Sequence, residues 1–223
     1  MSEQRIKVLQ WPPLAGPGPE PTEWFTSDLH FGHKSIATRR GFGTVEAMDY
    51  QLLENINRVV KPTDHLYITG DFSFRNRTPT LEYLQSFKCR HIVIVLGNHD
   101  NKSVFQQALD DGLIYALHMD RTQIRIKDDD GLNGKQRIVL DHFPLLVWDN
   151  IHRGAWMLHG HSHGGLKYPL RQRIMDIGID THPGLMPWSY GEIKDRLGTL
   201  KDEELDFPDH HVPKEPDECS TPE

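Results

Sequence analysis

Five short polar motifs concentrate the chemistry this chain could perform: Asp28-Leu29-His30, Gly70-Asp71, Gly97-Asn98-His99-Asp100, Asp141-His142 and Gly160-His161-Ser162-His163. Each alone has an ordinary reading. Asp-x-His and Gly-Asp are common in turns, and Gly-Asn-His-Asp could cap a helix. Taken together they offer two aspartates, an amide oxygen and four histidines, which is seven donors or more. That exceeds one tetrahedral zinc site. It suits two divalent ions sharing a carboxylate, about 3.5–4 Å apart. Mixed imidazole and carboxylate donors favour manganese first, with iron, zinc, nickel or cobalt as alternatives, over magnesium or calcium. On an extended segment, residues i and i+2 point the same way, so His161 and His163 are expected to face one cluster.

These motifs need strands to present them. Glu23–Ser27, His65–Thr69 and Ile92–Leu96 read as strands, the last continuously apolar as in a strand buried on both faces. Val45, Met48, Leu52, Ile56 and Val59 mark one face of a helix, with Thr44 as its N-cap and Pro62 just past its end. Thr78-Pro79 opens a second helix with proline at its first position, and a third runs near 101–110. Leu113–Leu117, Gln123–Lys127, Arg137–Asp141, Ala155–His159 and Arg173–Ile177 read as further strands. The Asp128–Gly134 cluster turns a hairpin. Ser189-Tyr190-Gly191-Glu192 is a capping box opening a last short helix. Every polar motif follows a strand, where ligands gather in α/β sheets. The order βαβαβα, then mostly β, predicts an α/β domain with two packed sheets.

Charge and composition narrow the class. The 223 residues carry a net charge of −7, but positions 201–223 hold 2 basic and 9 acidic residues, so residues 1–200 are neutral. A neutral body gives no basic nucleic-acid footprint. No run approaches the roughly 18–20 apolar residues of a membrane span. With no signal peptide and only Cys89 and Cys219, a disulfide scaffold is excluded and a cytoplasmic location is expected. The division expected is a Pro/Gly-rich lead-in at 1–22, one domain at 23–200 and an acidic, disordered tail at 201–223 without a core of its own, for which binding a partner or covering the pocket is one alternative role.

In this order the five motifs resemble the calcineurin-like metallophosphoesterase superfamily, over roughly residues 24–182. Ser27-Asp-Leu-His-Phe-Gly-His33, Ile68-Thr-Gly-Asp-Phe72 and Gly178-Ile-Asp-Thr-His-Pro-Gly184 are most similar to compact bacterial and phage-type members. The resemblance implies an α/β/β/α sandwich of two mixed sheets flanked by helices. It implies a first metal on Asp28, His30 and His163, a second on Asn98, His142 and His161, and Asp71 bridging them. His99 is then catalytic, touching phosphate or protonating the leaving oxygen, with Asp100 orienting it.

The chain departs from protein serine/threonine phosphatases. Phe74 stands where their histidine-orienting aspartate would be, although Arg75 holds their arginine position. The reading that follows is a phosphoesterase using metal-bridged hydroxide, with phosphodiesters such as cyclic or other nucleotides as substrate. Phosphomonoesterase, nucleotide pyrophosphatase and a non-catalytic scaffold are the alternatives. Asn98, His99, His33 and Arg75 are the candidate substrate contacts, with His33 equally readable as a solvated loop residue. Arg39-Arg40 and Arg77 read as solvated charges, Asp180 and His182 as structural or as supports for ligands, His210-His211 as idle and Cys89 as packing.

Overall fold

The computed structural model describes residues 22–74, 77–168, 173–198 and 200. The expected lead-in before Thr22, the tail from residue 201 with His210 and His211, and Arg75 lie outside the described residues.

Two sheets form the body. The first has the order β4-β3-β2-β1-β9, with β1 (Glu23–Thr26), β2 (His65–Thr69), β3 (His91–Val95) and β4 (Ala116–His118) parallel and β9 (Trp188–Ser189) antiparallel. The second runs β5-β6-β7-β8, with β5 (Thr122–Lys127) antiparallel to β6 (Lys135–Leu140) and β7 (Trp156–His159) and β8 (Ile174–Asp176) parallel to it. The expected α/β architecture with two mixed sheets is present. Strand alternation sorts the core. Phe25, Tyr67, Val93 and Val95 point inward against Ile124, Ile138, Leu140, Trp156 and Leu158, closing the space between the sheets. Leu66, Ile68, Ile92 and Ile94 point outward onto Met48, Leu52, Ile56, Leu84 and Phe105 of the helices. Each such buried side chain contributes about 1.5–3 kcal/mol, so both faces of β2 and β3 are anchored.

The helices on the first sheet are α1 (Lys34–Arg39), α2 (Val45–Val59), α3 (Arg77–Ser86) and α4 (Lys102–Asp110). Thr44 caps α2 by accepting from the Ala47 N–H, as its sequence predicts. The capping box at Ser189 and Glu192 starts α5 (Tyr190–Leu197), whose Ile193 and Leu197 enter the core between the sheets. The outer face of the second sheet is covered by Trp148 and Ile151 from a loop with one 3-10 turn. Helix α3 starts at Arg77, two residues earlier than predicted, which puts Pro79 third. That position is still within the first turn, whose N–H groups lack intrahelical partners, so the proline costs nothing there.

Parallel strands end side by side, and the two sheets meet at this edge. The Ile179 N–H donates to the Ser27 carbonyl at 2.9 Å, bridging the chain after β8 to the chain after β1.

Candidate metal centre

All five motifs leave strands at this one edge. They form two three-donor groups, Asp28 with His30 and His163, and Asp71 with His142 and His161; within each, the ligand atoms lie within 4.8 Å of one another. Asp71 stands between them. Its Oδ1 accepts the His99 N–H at 2.9 Å. Its Oδ2 lies 3.7 Å from His30 Nε2, 3.5 Å from His142 Nε2 and 4.0 Å from His99 Nε2. These separations are too long for hydrogen bonds.

Proton accounting tests the fit to a cation. His142 Nδ1 lies 2.8 Å from the Thr69 carbonyl, which can only accept, so a neutral ring spends its one N–H there. Nε2 is then a bare lone pair, 3.0 Å from Asn98 Oδ1 and 3.5 Å from Asp71 Oδ2. With the ring in that form three acceptors converge, an arrangement a cation relieves. His163 repeats the device: its Nδ1 meets Asp180 Oδ2 at 2.6 Å, leaving Nε2 for the other group. His30 is buried, its Nδ1 has no partner, and burial first of all lowers its pKa to about 3. It is held neutral, as a metal ligand must be. Burial likewise raises the Asp28 carboxyl to about 7, His163 opposing. The residues fit a pair of metal ions.

The backbone is bent to achieve this. Asp28, His30, Asp71, His161 and His163 all have φ between 47° and 68°, in the left-handed region. Such conformations cost about 1–3 kcal/mol each and persist where the surroundings over-determine them. The surroundings are close. A Cβ on Gly160 would lie 1.9 Å from Ser27 Oγ and 2.6 Å from Asp28 Oδ2, and one on Gly97 2.4 Å from Asp71 Oδ1. The motif glycines let neighbouring turns touch. The segment 160–164 is therefore not extended, correcting the expected geometry. The two left-handed turns send His161 to Asp71 and His142, and His163 to Asp28 and His30.

Other expected residues fall as follows. The side chain of His99 is a third exposed at the mouth of the site, its Nδ1 unpartnered and its ring against His30. Asp100 does not reach that ring. Its oxygens accept the N–H groups of Asp71, Phe72 and Gly97, each at 2.9 Å, so it clamps the loop that carries Asp71. Burial raises its pKa to about 6. His33 is the N-cap of α1, accepting from the Ile36 N–H, while its ring meets His30 and Phe74. Cys89 is buried and its thiol is pushed up to about 11, chiefly by burial, so packing is its role. His182 contacts Trp188 and Glu192 rather than either donor group.

Two supports had no local signal. Arg40, expected to be solvated, has a side chain only 3% exposed. It binds Asp180 through both carboxylate oxygens and donates to the carbonyls of Asp28 and Leu29 at 2.6 and 2.8 Å. Burial alone would raise Asp180, but Arg40 and His163 hold it well below the usual carboxylate range. Asp176 accepts from the Ser162 hydroxyl and the Gly164 and Gly178 N–H groups, pinning the turn between His161 and His163. These contacts span up to 140 residues of chain, beyond the range of any local pattern.

Comparison with known proteins adds to the geometry. The chain is 27% identical over 201 residues to the Gene 66 protein of Mycobacterium phage L5, covering 81% of this chain and 96% of that protein. It is 27% identical over 143 residues to an uncharacterized protein of Methanocaldococcus jannaschii, covering 63% and 68% respectively. A protein of unknown function from Aquifex aeolicus shares the fold, with a TM-score of 0.58 at 20% identity, over 79% of this chain and 100% of that one. The calcineurin-like phosphoesterase family model matches residues 23–220, a span that takes in every donor described. The chain therefore belongs to the calcineurin-like phosphoesterase family and is a metal-dependent phosphoesterase.

Proposed function

We propose that the two donor groups hold two divalent cations, manganese first among them, and that the chain hydrolyses phosphodiesters, nucleotides included. The observation that carries this reading is the convergence of His142 Nε2, Asn98 Oδ1 and Asp71 Oδ2 while the other ring nitrogen of His142 is held at the Thr69 carbonyl. When bound, such a pair of ions acidifies water and polarises the phosphate oxygens.

The chain's own residues do the rest. Asp28, His30 and His163 would hold one ion and Asn98, His142 and His161 the other, with the Asp71 carboxylate placed between the two groups. The His99 N–H fixes Asp71 Oδ1 and so aims Oδ2 between the groups. The His99 imidazole, a third exposed at the mouth of the site, binds the phosphate and gives a proton to the departing oxygen. Asn98 is neutral, so it adds a donor without adding charge that would repel an anion. The diester reading is supported by a cavity beside Asn98, which leaves room for a second substituent on phosphorus.

The test is a paired assay of wild type and Asp71→Asn. Asn keeps an oxygen for the His99 N–H but loses the shared charge. We expect about two metals per wild-type chain and manganese-dependent cleavage of bis(p-nitrophenyl) phosphate above p-nitrophenyl phosphate, with metal and activity lost in the variant. A wild type that cleaves neither after reconstitution with manganese ends the reading.

A further inference from the structure

A cavity of about 500 Å³ opens beside Asn98. Its walls come from three strand exits: Leu96 and Asn98 after β3, Met119 and Arg121 between β4 and β5, and Asp141 and Phe143 after β6. Phe143 is the unusual member. One side of its ring packs on donor imidazoles, with centroids 5.0 Å from His142 and 4.6 Å from His161. Yet the residue is 45% exposed. Its N–H donates to Asp141 Oδ1 at 3.0 Å, so the turn that aims it is fixed. An aromatic ring thus stands against the donor imidazoles, partly exposed, and also lines the cavity.

The chemistry of the walls limits the occupant. That ring, with Leu96 and Met119, suits a flat apolar ring. Asp141 accepts from hydroxyl or amine donors, and Arg121 donates to acceptors on that ring. An alkyl or lipid chain would cover these charged groups without satisfying them, which is costly. A nucleoside has a flat base, hydroxyl donors and edge acceptors, and the volume lies within the range of small-molecule sites.

We infer that this cavity seats the nucleoside of a nucleotide diester, with the base stacked on Phe143, making the substrate class nucleotide diesters rather than alkyl or lipid ones. The inference rests on the phosphodiesterase reading above and specifies its substrate.

Two esters with one leaving group separate the two ideas: thymidine 5′-(p-nitrophenyl phosphate) and methyl p-nitrophenyl phosphate, assayed with the manganese-reconstituted full chain. We expect wild type to favour the thymidine ester in kcat/KM by about ten-fold or more, the scale of one stacked base. Phe143→Ala should remove most of that preference, mainly through KM. Phe143→Leu, which keeps packing on the imidazoles but cannot stack, should do the same if the alanine variant fails to fold. Equal wild-type rates on both esters, or a preference unchanged in Phe143→Leu, overturns the nucleoside seat and leaves the phosphodiesterase standing. If neither ester is cleaved, the phosphodiesterase reading fails. Calorimetric binding of adenosine 5′-monophosphate then decides the seat: binding weakened in Phe143→Leu supports it, and equal or absent binding in both proteins removes it.

Discussion

Arg40 and Asp180, 140 residues apart in the chain, are joined by two parallel hydrogen bonds of 2.7 and 2.8 Å. The same guanidinium holds the carbonyl of Asp28, and the same carboxylate holds His163 Nδ1. One buried ion pair therefore orients two members of one donor group, the backbone of Asp28 and the ring of His163. Paired bonds of this kind fix direction as well as distance.

Removing either partner should loosen that group and spare the other. Asp180→Asn or Arg40→Met is expected to weaken one of the two metal sites by about 10–100-fold, the usual effect of losing the partner behind a ligand histidine. Titration calorimetry with manganese reads both sites. Unchanged affinity at both would show that the pair serves only the fold.

The same pair carries a pH signature in metal-free protein. His163 has its pKa raised, first by the Asp180 hydrogen bond and against the lowering effect of burial. A histidine whose pKa is higher folded than unfolded adds stability below its unfolded value, and that stability is lost as pH rises through the folded value. Asp180 stays ionised across this range, so it supplies no opposing slope. The Tm gap between wild type and Asp180→Asn should be wider at about pH 5.5 than at about pH 8.5. A gap independent of pH contradicts the pairing.

Gly160 should tolerate no side chain. Its Cβ would sit 1.9 Å from Ser27 Oγ, in a buried place where β1 and β7 end together. Gly160→Ala is expected to cost about 1–3 kcal/mol, in line with overpacked cores, and to displace Asp28. Gly43→Ala is the control, because nothing lies within 4 Å of the added atom and its backbone is unstrained. Thermal melts and metal content of the two variants separate a local clash from a general loss of glycine.

What could be read in advance followed local rules. The period of Val45, Met48, Leu52, Ile56 and Val59 and the cap at Thr44 describe α2 as it stands, at Val45–Val59. Motifs placed after β-branched runs end up at one sheet edge because parallel strands share a direction. Two things were not local. The left-handed turns at His161 and His163 depend on Asp176 and Asp28, which reach them from other strands. Arg40 looked like half of a solvated pair because its partners lie near residue 28 and at residue 180. Burial of a charge by distant chain leaves no trace in its neighbours' spacing.

Asp100 gives the sharpest test of that limit, because its neighbour suggested a different task. Adjacent to His99, it reads as that ring's orienter; in the fold it accepts three backbone N–H groups from Asp71, Phe72 and Gly97. Asp100→Asn places an NH2 where at least one of those donors needs an acceptor. A buried unsatisfied N–H costs about 1–3 kcal/mol, and the loop bearing Asp71 should shift with it. The expected result is a lower Tm and weaker manganese binding, with the pH profile of any residual turnover unchanged in shape. His99→Ala should behave in the opposite way, keeping stability and metal while altering the profile, since its ring supports no backbone. An Asp100→Asn protein that melts like wild type yet shifts the profile as His99→Ala does would return Asp100 to the role of orienting His99.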